Sequence, residues 1–462
     1  MKVIVSFISL LISSVCMAQD VVVSEQLTLP MRSGSCDTRE IFKSGDFGKR
    51  LKAPLHRAGT GEAPLRYIDR ISNMPDYLID LYNQYSSDVE KALKGEVTCL
   101  VNPMQDEYFV PRAGVYAYTV KVYEGELSFT FKETSEVKDK ALAVVTPVVE
   151  GQWDEFLSFI PYVCCSMNLD HPEAFWLNSN YSYFNSTTYG ITYNQVNNTG
   201  KIKYEHNLYF AIKRPTYDLR RDEFLTEEDV TDGMKRYKTA ISNILADYPD
   251  GKSRQEGLLY LNEWLTTHNA YCSILSGYRP TFCYSPLSAL EGTVGVLGPV
   301  CEGYARALKV LCDQKDIPCV LQTGMAQPAR DAESEDHMWN YVQLEDGQWY
   351  AIDVTWNDPV DAEDTHEAAS GLENHNWFLL GSETQIWDDF TFIESHPENP
   401  SGGFKPQGST EWDLIPGPAL AAEGIEIAEP EPTPILGDID GDGIVTVKDI
   451  TELIDAYLSD GE

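Results

Sequence analysis

The chain has 462 residues, 43% of them hydrophobic, and its 72 acidic against 35 basic residues leave a formal net charge of -37. This length and apolar content allow two or three domains with real cores and exclude wholesale disorder. The negative charge argues against nucleic-acid or anionic-membrane partners, because both require a basic face.

Residues 1–18 predict a signal peptide. Lys2 gives a positive start, an apolar stretch follows, and Cys16-Met17-Ala18 places small residues before Gln19. The apolar stretch is short for a membrane anchor, and a lipoprotein anchor at Cys16 is a weaker alternative. We therefore expect a secreted or periplasmic protein without a transmembrane span.

The cysteine count indicates an unpaired thiol. The chain has ten cysteines, and removal of Cys16 with the signal peptide leaves nine. An odd number in an exported protein leaves at least one thiol unpaired, unless chains are cross-linked. Cys301 is the candidate for that thiol, and the connectivity of the other eight stays open.

Residues 19–250 form an N-terminal region of mixed β-rich and helical character to which we assign no chemistry. Alternating Val, Tyr and Phe residues indicate strands, and periodic apolar residues indicate helices. The predicted elements are a helix over 76–94, strands over 114–131 around Glu124-Gly125, mostly strand over 180–212, and two helices over 222–270 broken near Pro249-Asp250-Gly251.

Cys301 begins a helical pattern within a predicted domain of residues 251–400. It follows Gly298-Pro299-Val300 and precedes an apolar stripe at helical spacing. In the first turn of a buried helix, the helix dipole and free N–H groups favour a thiolate and stabilise a substrate oxyanion. Gly303 would allow a substrate or another backbone to approach.

His337 and Asp353 lie in two strand-like runs joined by a turn at Glu345-Asp346-Gly347. A two-residue loop would place Asp353 and His337 on opposite faces. A three-residue loop over 345–347 pairs His337 with Thr355 and puts Asp353 diagonally beside it, within about 5–8 Å. We therefore predict the three-residue loop, with Gly347 in a left-handed conformation.

Each of these residues has an ordinary explanation when taken alone. A single cysteine in an exported protein is often a disulfide partner, a histidine can be structural, and an aspartate can cap a helix. Their order and contexts together favour a thiol enzyme. Cys301 would be the nucleophile, His337 its base, and Asp353 the carboxylate that orients the base.

Three motifs in this order carry a family resemblance. VCEGYA at 300–305, HMWN at 337–340 and WYAIDVTW at 349–356 resemble the bacterial transglutaminase-like cysteine-peptidase superfamily. The resemblance covers about residues 255–395 and includes Asn376-Trp377-Phe378-Leu379 as an aromatic strand. The segment Asp170-His171-Pro172-Glu173 is similar to one that often precedes this domain.

The resemblance implies an α+β fold with a papain-like core, in which the nucleophile helix packs on an antiparallel sheet. It also implies that the Cys301 thiolate attacks an amide of a protein or peptide substrate and releases an amine. A thioester results, which water or a second amine resolves. The catalytic site would need no cofactor, and the second oxyanion donor is not assigned.

The C-terminal part predicts a linker and a calcium site. Residues 401–434 are rich in Pro, Gly and Glu, which suits an extended linker. Within the compact tail 435–462, carboxylates and a backbone carbonyl follow EF-hand spacing. The predicted Ca²⁺ ligands are Asp438, Asp440, Asp442, Ile444 through its carbonyl, and Asp449.

This tail resembles one half of a dockerin module. Dockerins carry two such repeats and bind cohesin partners, whereas one repeat is present here. The resemblance implies either a cohesin-like partner or an intramolecular one. A lone repeat of this length buries little by itself.

Three functions follow from these observations. A secreted peptidase acting on peptide or isopeptide bonds is the leading interpretation. A glutamine transglutaminase or deamidase would use the same thioester, so the fold does not separate the two. A catalytically silent binding or scaffold protein is the third, because the large N-terminal region carries no assigned chemistry.

Overall fold

The structure, a computed structural model, describes most of the chain between residues 66 and 426, with two strands before it. The predicted signal peptide and calcium loop lie outside the described residues. The described residues are 22–29, 33–37, 66–71, 73–96, 117–177, 180–212, 224, 227–272, 274, 280–293, 297–327, 330, 332–359, 371–387, 390–398, 403–404, 413–414 and 417–426.

A five-stranded antiparallel sheet lies in the N-terminal region, and together with the helices there it gives a mixture of strand and helix. Four of its strands follow the order β1-β4-β5-β3, and β2 also pairs with β4. The strands are β1 (Val22–Leu29), β2 (Ser33–Asp37), β3 (Ala117–Thr130), β4 (Asn180–Asn194) and β5 (Thr199–Ile212).

The sequence pattern predicted separate strands on the two sides of Glu124-Gly125, and this prediction is wrong. β3 runs through both residues, which pair with Glu205 and Tyr204 of β5. The glycine serves packing instead of a turn, since a Cβ there would lie 2.6 Å from the Tyr204 ring. A large cross-strand aromatic side chain thus occupies the space that the missing side chain leaves.

The predicted helices of this region are confirmed. α1 (Asp76–Lys94) has the predicted bounds and ends at Gly95, whose φ of 76° gives it a left-handed C-cap. α3 (Glu227–Ile244) and α4 (Arg254–Thr267) flank the predicted break. Ser253 and Glu256 form a capping box that starts α4.

The longest helix, α2 (Val137–Asp170), was not predicted. It contains Pro147 and Pro161, which remove backbone donors and are unusual inside helices. Every residue from Ile160 to Met167 is buried, so this stretch has no polar face and no amphipathic period. Tertiary packing on all sides therefore stabilises a helix that sequence periodicity does not reveal.

The C-terminal part packs helices against a second antiparallel sheet of order β6-β7-β8. This arrangement confirms a mixed α+β fold with small antiparallel sheets. The elements are α5 (Pro286–Leu290), α6 (Cys301–Gln314), β6 (Cys319–Ala326), β7 (Glu335–Gln343), β8 (Trp349–Ile352), α7 (Val354–Asn357), β9 (Gln385–Trp387), β10 (Phe390–Thr391) and α8 (Phe392–Ser395).

The predicted hairpin register is confirmed. Gln343 pairs with Trp349 and Asn340 with Ile352, as the three-residue loop requires. Gly347 has φ 76° and donates its N–H to the Leu344 carbonyl at 3.1 Å. This register keeps His337 and Asp353 on the same side of the sheet.

Gly347→Ala is expected to lower the free energy of unfolding by about 1–2 kcal/mol, because a Cβ is disfavoured in the left-handed region. No atom lies within 4 Å of that Cβ, so the cost is conformational. Gly151→Ala in α2 is the matched control, since its Cβ also meets open space but its φ is helical. Urea denaturation should show Gly151→Ala at or above wild-type stability, and an unchanged Gly347→Ala midpoint would contradict the turn's role.

The predicted aromatic strand at 376–379 is wrong. These residues form a turn, in which Leu379 has a φ of 54°. The turn leads to Leu380, which forms an isolated antiparallel bridge with Ala351 of β8. The turn carries the Trp377 carbonyl, which accepts the Asp353 N–H at 2.9 Å.

The predicted linker 401–434 is not extended throughout. Two short strands within it, β11 (Gly403–Phe404) and β12 (Asp413–Leu414), pair with each other. Residues 417–426 lie along the edge of the second sheet, where Ala421 donates its N–H to the Trp349 carbonyl at 2.9 Å and Leu420 forms a parallel bridge with Trp349. Part of the segment is therefore docked on the domain that precedes it.

One hydrophobic core joins the two sequence regions. It contains buried residues between Tyr67 and Ile244 and between Leu258 and Phe392. The predicted boundary at residue 250 therefore separates regions that share a core. In the part of the chain that the structure describes, no helix is both long and apolar enough to cross a membrane.

Candidate active site

Cys301 is the first residue of α6, as predicted. Val300 precedes the helix in an extended conformation, with φ -99° and ψ 179°. The Cys301 side chain is half-buried, whereas every residue from Gly303 to Cys312 is buried. The helix therefore presents its thiol at a partly accessible end, beside the N–H groups of its first turn.

Gly303 allows the close approach of another backbone. A Cβ at this position would lie 2.6 Å from the Cys283 carbonyl oxygen and 2.9 Å from the Ser288 hydroxyl oxygen. The space predicted for a substrate or a backbone is thus occupied by α5 and the segment before it. Gly303 allows α6 to pack closely against both.

β7 and the end of β8 bring His337 and Asp353 together. His337 Nε2 lies 2.7 Å from Asp353 Oδ2, and the two side chains are 2% and 0% exposed. Since a carboxylate only accepts hydrogen bonds, Nε2 carries a proton and Nδ1 is the nitrogen that can accept one. Cys301 lies close enough to His337 for its interaction with the imidazole to help raise the pKa of His337. The structure thus brings together all three predicted catalytic residues.

Asp353 lies one residue beyond the end of β8 and caps α7. Its Oδ1 accepts the Trp356 N–H at 3.3 Å. The predicted pairing of Thr355 with His337 is wrong, because β8 ends at Ile352 and Thr355 is helical. The cap and the histidine contact coexist, since each uses a different carboxylate oxygen.

Three tryptophans enclose the polar pair. Trp356 stacks on His337 with ring centroids 5.1 Å apart and an interplanar angle of 27°, and Trp339 lies 6.1 Å away at 24°. Trp377 packs edge-on against Trp356 at 4.6 Å. These rings exclude water, which strengthens the electrostatic coupling between His337 and Asp353.

Burial and pairing oppose each other in setting the charges of the site. Burial lowers the pKa of His337, but the Asp353 charge and hydrogen bond, with the Cys301 interaction, raise it well above the usual value. Burial raises the pKa of Asp353, but the charge and hydrogen bond of His337 lower it below the usual range. The site therefore favours an imidazolium held by a carboxylate.

His396 is a member of this cluster that the sequence did not reveal. It lies in a polar segment of the sequence, but it is completely buried and its Nε2 lies 3.2 Å from Asp353 Oδ2. Its ring stacks on Phe392 at 4.5 Å and 13°, and it packs edge-on against Trp356 at 4.6 Å. Asp353 thus accepts from two imidazoles and one backbone N–H.

The second histidine is neutral. Its Nδ1 has no hydrogen-bond partner among the described residues, so a proton there would be an unpaired donor in the core. Burial lowers the pKa of His396 to about 4, outweighing the opposing hydrogen bond and charge of Asp353, and the His337 charge lowers it further. A neutral His396 therefore donates to Asp353 without competing for its charge.

His337, Asp353 and His396 also have side-chain types that bind metals, and their ligand atoms lie within 4.8 Å of one another. A metal would have to displace the protons that now join both rings to the carboxylate. The existing geometry is that of a hydrogen-bonded cluster beside a thiol.

The helix that begins at Cys301 is anchored by the N-terminal region. Arg306 of α6 donates to the Asn168 side-chain oxygen at 2.5 Å and to the Asn168 carbonyl at 3.1 Å. It also pairs with Glu302 at 2.9 Å. At the end of α2, two residues after Asn168, Asp170 accepts the Tyr82 hydroxyl at 2.8 Å. The segment before the predicted domain is therefore part of the scaffold around Cys301.

A second buried carboxyl lies near this helix. Tyr304 donates its hydroxyl to Asp358, which follows α7. Burial, reinforced by the Glu373 charge and opposed by the Tyr304 hydrogen bond, raises the pKa of Asp358 to about 7. This group titrates near neutral pH, so it must be controlled in any pH profile of the site.

No family model matches this chain, and no curated protein is significantly similar to it. The predicted Ca²⁺ ligands Asp438, Asp440, Asp442, Ile444 and Asp449 lie outside the described residues.

Proposed function

We propose that this protein is a thiol hydrolase with a papain-like, transglutaminase-like core that cleaves peptide or isopeptide bonds. The observation that carries the proposal is a half-buried cysteine at the start of α6 beside the buried His337–Asp353 pair. A nucleophile, a base and an orienting carboxylate in this order are the requirements for thiol catalysis.

In the proposed reaction, His337 Nδ1 takes the Cys301 proton and the thiolate attacks the carbonyl carbon of an amide. N–H groups in the first turn of α6 face the developing oxyanion. The imidazolium returns the proton to the leaving amine, which departs as a thioester forms. Water, deprotonated by His337, then attacks the thioester and restores the Cys301 thiol with release of the acid.

Asp353 and His396 support this chemistry without contacting the substrate. Asp353 fixes the His337 tautomer and stabilises its positive charge. His396 is a positioning residue, because its neutral Nε2–H fills a second acceptor site on the Asp353 oxygen that faces His337. Two donors on one oxygen restrict the rotation of the carboxylate.

We expect iodoacetamide to alkylate Cys301 rapidly at pH 6, where a thiol without an activating partner reacts slowly. Peptide mass mapping would give the rate, with the buried Cys312 and Cys319 as internal controls. His337→Ala should slow the reaction roughly 100-fold at pH 6.

His375→Ala is the matched control, because His375 is partly exposed and pairs with Glu263, away from Asp353. It should leave the alkylation rate unchanged. Equal rates in His337→Ala and wild type would exclude the thiol-enzyme proposal and favour a binding protein. An active thiol would justify assays with peptides and with glutamine plus an amine donor, which separate hydrolysis from transfer.

A further inference from the structure

Two buried cysteines meet beside the start of the nucleophile helix. The sulfur atoms of Cys272 and Cys283 lie 3.3 Å apart, and the residues are 1% and 0% exposed. Both are thiols in the structure. A disulfide requires sulfur atoms at about 2.05 Å, so bond formation needs a movement of little more than about 1 Å.

The two cysteines hold the segment that leads into Cys301 from both sides. Cys272 donates its N–H to the Pro299 carbonyl at 2.9 Å, and Val300 donates its N–H to the Cys283 carbonyl at 3.0 Å. Val300 is buried against both cysteines in a small apolar cluster. The contact between the two sulfur atoms therefore links the two residues that hydrogen-bond to Pro299 and Val300, directly before Cys301.

We propose that Cys272 and Cys283 form a disulfide in the mature protein, locking residues 299–300 while Cys301 stays a thiol. The two thiols lose two protons and two electrons, and the electrons reduce a second disulfide, such as glutathione disulfide, to two thiols by exchange. The export proposed for this chain would bring it to a compartment that supplies such an oxidant. The bond goes beyond the proposed activity and does not rest on it.

A second cysteine pair gives an internal comparison. Burial, reinforced by the neighbouring Cys319, raises the pKa of the Cys312 thiol, and Cys319 accepts a hydrogen bond from the Asn340 side chain at 3.5 Å. This pair lies where α6 passes into β6, away from the supports of residues 299–300. If burial alone decided which cysteines form a disulfide, the two pairs would be equally suited to it. The proposal assigns the covalent bond to Cys272 and Cys283 only.

Disulfide mapping of the full chain tests the assignment. The protein would be equilibrated in mixtures of reduced and oxidised glutathione, denatured, treated with N-ethylmaleimide and digested. In the oxidised sample we expect a linked peptide pair that contains Cys272 and Cys283 and is lighter by two hydrogens, with Cys301 alkylated. Full alkylation of Cys272 and Cys283 in that sample would overturn the proposal, as would linkage of either one to another cysteine.

Thermal unfolding gives a second readout. Reductant should lower the melting temperature of the oxidised wild type by roughly 3–5 °C, because the bond closes a 12-residue loop. Cys272→Ser/Cys283→Ser should show no such shift, and Cys312→Ser/Cys319→Ser should retain it. An equal shift in both double variants would overturn the assignment. Cys301 alkylation reports separately on the proposed activity, so the two proposals can fail independently.

Discussion

Asp353→Asn is expected to slow the alkylation of Cys301 at pH 6 by roughly 100-fold, a loss that approaches the difference between an activated and an ordinary thiol. The carboxylate accepts the His337 Nε2–H at 2.7 Å and leaves Nδ1 to accept the thiol proton. An amide of the same shape carries no charge and can donate to Nε2, which favours the wrong imidazole tautomer. Iodoacetamide rates across pH 5–9 would measure the effect.

The control for this variant is Asp358→Asn. Asp358 is also a buried carboxyl, but it bonds Tyr304 and has no contact with His337. Its replacement should remove a titration near pH 7 and leave the pH 6 rate of Cys301 close to that of the wild type. An Asp353→Asn protein that is folded yet alkylates at the wild-type rate would show that the carboxylate does not orient His337.

The pairing of His337 with Asp353 makes the free energy of unfolding depend on pH. The lowered pKa of Asp353 contributes stability above the unfolded value of about 3.9, and this is lost as the pH falls through the folded pKa. The raised pKa of His337 contributes stability below about 6.5, and this is lost as the pH rises through the folded pKa. Asp353→Asn should therefore be most destabilising between about pH 4 and 6.5.

His396→Phe is expected to lower the alkylation rate of Cys301 at pH 6 about tenfold, with little loss of stability. One hydrogen bond to a charged group is worth about 1.5–3 kcal/mol, and its loss frees the Asp353 carboxylate to rotate. Phenylalanine preserves the ring packing on Phe392 and Trp356. It also removes a buried Nδ1 that lacks a partner among the described residues.

His396→Gln is the matched variant, because a glutamine amide can place a donor near the position of Nε2. It should recover most of the lost alkylation rate and restore the pH profile. If His396 had only a structural role, the phenylalanine variant would instead keep the higher alkylation rate of the two. The histidine also has a stability signature of its own. Its pKa of about 4 favours the neutral form, so its contribution is complete above about pH 6.5 and declines as the pH falls toward 4.

Local signals in the sequence determined much of the site. The apolar stripe after Cys301 and the residues before it predicted a helix beginning at the thiol, and α6 begins there. The turn at Gly347 required a left-handed residue, and that requirement set the register that brings His337 to Asp353. These features can be predicted from the sequence because hydrophobic periodicity, helix capping and turn chemistry each depend on a few neighbouring residues.

Elsewhere, tertiary packing produced structure that the local sequence pattern did not predict. The buried stretch Ile160–Met167 of α2 has no polar face, so no helical period distinguishes it. The strand-like run after Trp349 ends at Ile352, because Asp353 uses its side chain to cap the next turn. An aspartate three residues before a helical N–H was a usable signal for that cap, but it competed with the alternating apolar pattern of the strand.

The sequence alone thus determined the order of Cys301, His337 and Asp353 and the elements that carry them, because a helix start and a glycine-turn hairpin are local structures. Only the tertiary fold decided the environment of those groups. His396 lies 43 residues beyond Asp353 in a polar segment, and nothing near it in the chain marks it as buried. The fold places His396, at the end of α8, against Trp339, Trp356 and Trp377 and beside the Asp353 carboxylate that it shares with His337.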